Sequence, residues 1–288
     1  MAVAPLRLLS IGAHPADVFD QSGGTMAHHA KKGDWVGCVV LTHGARVHDK
    51  VISNDLFKSE RVPEAGELER MMEERAQVKK EEVRKACGIL GFENIHFFDE
   101  DDRVLIRTEE NVSRLARLIR QLKPDIVLTH FPREGEAFTN AHATAGQITL
   151  NAIELATGVD PGDASPPHRV AQTFFFGEGG APLPSSVWDA QGGYYNEVFI
   201  DISDCVEQKL ASLDCLVSQG YGGAYARKRI ETSDGSFGLR GHVPYAEAFI
   251  RNSSETHYYL PLTEYAQQLA RLSDHEIIER SSVRIKVD

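Results

Sequence analysis

The sequence of 288 residues predicts an α/β protein in which a parallel sheet is flanked by helices, and two observations support this fold class. Short apolar runs alternate with helical patterns along the first half of the chain, as they do in sheets built from right-handed strand–helix–strand crossovers. Polar and titratable side chains follow several of these runs. In an open α/β sheet, such strand ends are where ligands bind.

The first half of the chain contains four predicted strands and four predicted helices. The apolar runs that predict strands are residues 6–12, 35–41, 94–98 and 124–130. The helical patterns are residues 23–32, 64–90, 108–122 and 142–156, and residues 47–63 are predicted to be a polar loop. This alternation predicts a Rossmann-like arrangement of the sheet.

The second half is less regular. Residues 171–177 and 197–202 are predicted strands, residues 203–218 a helix, and residues 220–241 a glycine-rich loop. Residues 245–250 are predicted to lead out of the domain. We therefore expect a catalytic domain over residues 1–252 and a C-terminal extension over residues 253–288, with the extension taking part in a homo-oligomer contact.

Bulk composition limits the possible partners. A net charge of −11 argues against nucleic acid or an anionic membrane as the main partner, and no apolar run approaches the length of a membrane span. The four cysteines are scattered, and the N-terminus does not resemble a secretory signal. We therefore expect a cytoplasmic protein that acts on a small-molecule substrate.

The end of the first strand carries His14 and Asp17, which are close enough in sequence to bind one metal ion. Imidazole and carboxylate groups are zinc ligands, and a catalytic zinc has three protein ligands and one open position. His142, which begins a helix after a long loop, is the best candidate for the third ligand. His130 lies nearer its strand and is expected to support the ligands.

Further candidates lie on the same loops or on later ones. For proton transfer they are Asp49, Glu134, Glu136, His130 and His242. For substrate binding they are His43, Arg46, Arg133, Asn140 and Arg227. A charge run such as residues 227–229 is more often a solvated surface than an anion site.

The segment His14-Pro15-Ala16-Asp17, followed by Gly23-Gly24-Thr25, resembles the signature of the PIG-L/LmbE-like deacetylases. The resemblance continues through residues 123–130, His142 and residues 246–249, and so covers most of the chain. It implies a Rossmann-like fold and a zinc ion bound by two histidines and one aspartate. At matching positions these ligands are His14, Asp17 and His142, and another divalent metal would fit the same residues.

Two positions depart from that family's pattern. Ala16 stands where the resemblance implies the general base, and Thr139-Asn140-Ala141-His142 keeps only the last histidine of a His-Pro-Asp-His motif. Three functions remain open. Amide hydrolysis of the deacetylase type ranks first, and hydration of an unsaturated oxo-carboxylate follows closely, since a hydratase branch (4-oxalomesaconate hydratase-like) also lacks that aspartate. A metal-retaining binding protein is third.

Overall fold

Seven strands form one mixed sheet in the computed structural model, which describes residues 4–61, 63–133, 140–177 and 196–284. They are β1 (Arg7–Gly12), β2 (Trp35–Thr42), β3 (Asn94–Glu100), β4 (Ile126–Thr129), β5 (Gln172–Phe176), β6 (Val198–Asp201) and β7 (Ala246–Arg251). Their order is β3-β2-β1-β4-β5-β7-β6. The first five strands in this order are parallel, whereas β7 is antiparallel to both of its neighbours. The predicted α/β class is confirmed, although the sheet is not wholly parallel.

The helices of the described residues surround this sheet. They are α1 (Asp17–Lys32), α2 (Lys50–Ser59), α3 (Ala65–Leu90), α4 (Glu109–Leu122), α5 (Ala141–Ala156), α6 (Val206–Asp214), α7 (Ala224–Thr232), α8 (Asp234–Gly241), α9 (Glu264–Leu269) and α10 (Asp274–Ser281). The predicted loops over residues 47–63 and 220–241 were wrong, because they contain α2, α7 and α8. The predicted helix over residues 203–218 divides into α6 and a short 3-10 helix, Val217–Gln219.

Alternation along the central strands divides the core into two apolar layers. On β1, Leu8 packs into one layer, while Leu9 and Ile11 pack into the other. Side chains of a strand point alternately to the two faces of the sheet, so each central strand contributes to both layers. Helices α1, α3 and α6 cover one face, and α4 and α5 cover the other. The chain segment between β1 and α1 therefore lies at the carboxyl end of a central strand that is packed on both faces.

Strand β7 lies inside the sheet, between β5 and β6, so the prediction that residues 245–250 lead out of the domain was wrong. Its Glu247 is buried beneath α1. Helix α1 leaves helical geometry at Ser22, and the N–H groups of Gly24 and Thr25 each donate to the Glu247 carboxylate at 2.8 Å. An internal carboxylate thus satisfies backbone donors that the kink releases.

The chain beyond β7 contacts the domain through Tyr265, whose hydroxyl donates to the carbonyl of Gly241 at 2.9 Å. Tyr258, Tyr259 and Leu260 are almost fully exposed. A role for residues 253–288 in oligomer contact remains a prediction. Among the described residues, no helix combines the length and the apolar character that crossing a membrane requires.

Replacing Gly24 with Ala is expected to destabilise the fold by about 1–3 kcal/mol, the usual cost of overpacking a core. A Cβ at Gly24 would lie 2.5 Å from Cγ2 and 2.8 Å from Cβ of Ile202, and a branch-point carbon cannot move aside without its backbone. The matched control is Gly88→Ala in α3, where an added Cβ has no neighbour within 4 Å. That change is expected to stabilise by about 0.5–1 kcal/mol, as Ala does in helices. Urea denaturation measures both effects, and equal free energies of unfolding for the two variants would contradict this packing.

Candidate active site

The structure brings His14, Asp17 and His142 together at the carboxyl ends of β1 and β4. The His14 backbone N–H donates to Oδ2 of Asp17 at 2.7 Å, and the His14 Nδ1 atom lies 3.4 Å from the same oxygen. The Nε2 atom of His142 lies 3.7 Å from Oδ1 of Asp17. One potential ligand atom from each residue lies within 4.8 Å of the other two.

This group of side chains fits a divalent metal ion. Two imidazoles and one carboxylate form a ligand set that zinc and similar ions accept. The Nε2 atom of His14 is buried and has no hydrogen-bond partner among the described residues, which is unusual for a polar atom unless a ligand satisfies it. Burial raises the pKa of Asp17, but the neighbouring His142, His14 and His130 outweigh it and hold that pKa well below its ordinary value. Asp17 therefore remains an anion, the form that binds metal.

His130 supports this group from behind. Its Nε2 atom lies 3.0 Å from Oδ2 of Asp17, and its ring stacks on that of His142 with centroids 4.4 Å apart. Burial lowers the pKa of His130 below its ordinary value even though Asp17 opposes the shift. The same Nε2 atom lies 3.3 Å from the Ala13 backbone nitrogen, so this imidazole links the end of β1 to the Asp17 carboxylate and limits the orientation of both.

Ala16 is buried, and its backbone N–H donates to Oε1 of Gln219 at 3.2 Å. This contact turns the Gln219 amide nitrogen away from Ala16. That nitrogen is buried and has no partner in the described part of the chain. The position where the family resemblance implies a carboxylate is therefore occupied by a methyl group beside a neutral amide.

Two clefts open at these residues. The histidine cleft, about 430 Å³, is lined by His14, Ala16, Asp17, His48, His142, Gln219, Gly220, Tyr221 and Tyr225. The arginine cleft, about 400 Å³, shares Asp17, His142 and both tyrosines with it and continues to Asp20 and Arg229. A small molecule in contact with the Asp17 and His142 side chains can therefore extend into either cleft.

Arg229, rather than the predicted Arg227, faces this region. The Arg229 Nη2 atom donates to Oδ2 of Asp20 at 2.5 Å, whereas Arg227 pairs with Asp214 at 3.3 Å and lines a different surface groove. Two residues along a helix are about 200° apart, so the two side chains diverge. Residues 220–241 were predicted as a loop, so the sequence could not show that Arg227 and Arg229 lie on different faces of helix α7.

The loop after β2 holds His43 and Arg46 away from both clefts. Arg46 forms a bidentate ion pair in which Nε donates to Oδ1 of Asp101 and Nη2 donates to Oδ2, and this pair raises the pKa of Arg46 above its ordinary value. The His43 Nδ1 atom accepts from the Ala45 N–H and lies 3.3 Å from Oδ1 of Asp102. Both predicted substrate-binding side chains therefore contact aspartates of the segment after β3 instead of the clefts.

His48, which the sequence analysis did not select, does reach the histidine cleft. Its ring centroid lies 4.0 Å from that of His14, and its Nδ1 atom lies 3.2 Å from Oδ2 of Asp102. Burial raises the pKa of Asp102, but hydrogen bonds from His48 and from backbone N–H groups outweigh burial and lower that pKa. The sequence signal for His48 is its position shortly after the second strand and Gly44. The same loop also contains His43, Arg46 and Asp49, so this signal did not single out His48.

The remaining candidates lie elsewhere. Asp49 caps α2 and contacts Arg75 and Lys79, so its carboxylate has a structural role. His242 is exposed at the end of α8, and the Asn140 side chain accepts from the Ala143 N–H to cap α5. Arg133 is half-buried next to the segment 134–139. Glu134 and Glu136 lie in that segment, outside the described residues.

Comparison with known proteins agrees with the resemblance. The profile of the PIG-L family, described as GlcNAc-PI de-N-acetylase, matches residues 9–153, just over half of the chain. The chain belongs to the PIG-L family. A curated relative from Pseudomonas putida KT2440, named 4-oxalmesaconate hydratase, is 26% identical over 73% of each chain. A Catenulispora acidiphila relative, named 1D-myo-inositol 2-acetamido-2-deoxy-alpha-D-glucopyranoside deacetylase 2, is 28% identical over 59% of this chain and 60% of its own.

Solved structures of the same fold also include both kinds of enzyme. A 4-carboxy-2-hydroxymuconate hydratase from Pseudomonas putida KT2440 has a TM-score of 0.68 and 21% identity, covering 89% of this chain and all of that one. The N,N'-diacetylchitobiose deacetylase of Pyrococcus horikoshii has a TM-score of 0.61 and 18% identity, covering 84% of this chain and 82% of that one. Named relatives of this family member are thus hydratases and deacetylases.

Replacing Asp49 with Ala is expected to cost about 3 kcal/mol of stability while leaving metal content and turnover of the folded protein unchanged. The change removes a helix cap and leaves the fully buried Lys79 without its carboxylate partner. The matched control is Asp55→Ala, an exposed carboxylate on the same helix, with an expected effect within about 0.5 kcal/mol. Chemical denaturation and turnover per folded molecule measure the two effects. Loss of turnover at unchanged stability would instead assign Asp49 to proton transfer.

Proposed function

We propose that this chain is a divalent-metal-dependent hydro-lyase that adds water to a small unsaturated oxo-carboxylate. One observation carries the proposal: the three candidate metal ligands are assembled, while Ala16 and the Gln219 amide occupy the place of the expected base. The sequence alone ranked amide hydrolysis first. The geometry supports hydration better, because the expected carboxylate is missing from a cleft that is otherwise arranged to bind metal.

We assign different roles to the residues of the site. His14, Asp17 and His142 would hold the ion, and His130 keeps Asp17 in place through the contact between its Nε2 atom and Oδ2. When bound, a divalent ion polarises a carbonyl or lowers the pKa of a coordinated water. We assign proton transfer to His48, because Asp102 faces its Nδ1 atom and leaves Nε2 available to the substrate.

Amide hydrolysis is the second candidate, since curated relatives of this chain include deacetylases. That reaction benefits from a carboxylate base near the attacked carbonyl. In the described part of the two clefts the carboxylates are Asp17, one of the proposed ligands, and Asp20, which Arg229 engages. The described residues of the two clefts therefore offer a deacetylase no carboxylate base that is not already engaged. A pure binding protein ranks third, because the ligand group faces clefts large enough for a substrate.

Metal-loaded protein is expected to hydrate 4-oxalomesaconate-like substrates. The reaction is measured as the decrease in absorbance when the conjugated double bond is lost. His14→Ala is expected to lose bound metal and to lower turnover at least about 100-fold, because the ion supplies the electrophile. The matched control is His29→Ala, a histidine on α1 whose Nδ1 atom lies 2.6 Å from Oδ2 of Asp34, away from the clefts. It is expected to keep both metal and turnover.

Acetate release from N-acetylglucosamine derivatives is measured in parallel. Acetate release without hydration would replace the proposed reaction with amide hydrolysis. Full turnover by the His14→Ala variant, or by protein stripped with a chelator, would overturn metal dependence for either reaction.

A further inference from the structure

We infer that Arg229, oriented by Asp20, binds a carboxylate of the substrate in the arginine cleft and thereby selects anionic over neutral substrates. The inference rests on the proposed function and adds to it the residue that recognises the substrate's charge. None of the residues proposed to bind metal or transfer protons carries this role.

Asp20 fixes the guanidinium from one side. Its two oxygens contact Nε of Arg229 at 3.4 Å and Nη2 at 2.5 Å, and the Tyr221 hydroxyl donates to Oδ2 of Asp20 at 3.2 Å. A guanidinium carries five N–H donors in a planar fork. Among the described residues the Nη1 atom makes no hydrogen bond, so it remains available to a second carboxylate.

Burial and charge keep Arg229 cationic. Burial lowers the pKa of Arg229, but the Asp20 carboxylate outweighs burial and raises that pKa above its ordinary value. The Arg229 side chain is nevertheless 31% exposed, while that of Asp20 is only 7% exposed. A pair whose only role was to join α7 to α1 would not need its cation to face a cleft. Both side chains line the arginine cleft, and the cation is the more exposed of the two.

The arginine cleft connects this cation to the candidate metal ligands. Asp17 and His142 line it together with Arg229, and Ser233 and Ser236 line the same space. A cleft of about 400 Å³ matches the size of small-molecule sites. A substrate whose reacting end contacts the Asp17–His142 group therefore extends a carboxylate toward Arg229.

The test uses maleate, a small unsaturated dicarboxylate, titrated by calorimetry into the full-length, metal-loaded protein. Arg229→Gln is expected to weaken maleate binding about 10- to 100-fold, the range for loss of a charge-assisted hydrogen-bonded pair. Arg229→Lys keeps the charge but loses the planar guanidinium, and its maleate affinity is expected to lie between those of wild type and Arg229→Gln. The matched control is Arg227→Gln on the same helix, whose partner Asp214 lies in a different groove. It is expected to bind maleate as wild type does.

Near-ultraviolet circular dichroism checks that each variant is folded, and metal analysis checks that it holds metal. If Arg229→Gln does not fold, the comparison is made with Arg229→Lys. In hydration assays Arg229→Gln is expected to raise KM far more than it lowers kcat. Equal maleate affinity of the Arg229 variants and wild type, or no binding by wild type, overturns the inference. If Arg229-dependent maleate binding persists in protein that holds no metal or does not hydrate, the inference stands and the proposed function fails.

Discussion

The arrangement of the site depends on one buried carboxylate, that of Glu247. It accepts the N–H groups of Gly24 and Thr25 at the kink of α1, and the fully buried Lys209 donates to it at 2.8 Å. Burial alone would lower the pKa of Lys209, but Asp234 and Glu247 raise it above its ordinary value. Since an unpaired charge in this position would be strongly destabilising, the four elements that carry these groups are held in one arrangement.

That arrangement determines where the chemistry lies. Helix α1 carries Asp17 and Asp20 in its first turn, one facing the two histidines and the other facing Arg229. Helices α6 and α8, which carry Lys209 and Asp234, border the segment that supplies the tyrosines and Arg229. A kinked α1 held by Glu247 therefore orients the candidate metal group and the cation of the arginine cleft together. The glycine–glycine–threonine segment binds an internal carboxylate.

Sequence periodicity predicted the parallel half of the fold because its strands are buried apolar runs between clear helix patterns. It failed where local chemistry conflicts with the pattern. Helix α2 is mostly polar and exposed, and α8 contains Gly238, which is required because a Cβ there would lie 2.4 Å from the Pro244 carbonyl oxygen. The group His14, Asp17 and His142 could be selected because strand ends converge. Arg229 could not be distinguished from Arg227, since only the helix shows which of them faces inward.

The absence of a carboxylate at position 16 changes the charge of the candidate site. With a divalent ion bound as proposed, the ion, the Asp17 carboxylate and the Asp20–Arg229 pair would carry a net positive charge, which an aspartate at position 16 would cancel. With Ala16 and the neutral Gln219 amide in place, that positive charge would remain to attract an anionic substrate. Charges within a few ångströms of each other interact more strongly where water is partly excluded than in bulk solvent. In the proposed reaction, an alanine at position 16 would therefore favour a carboxylate-bearing substrate over a neutral amide, in line with the proposed role of Arg229.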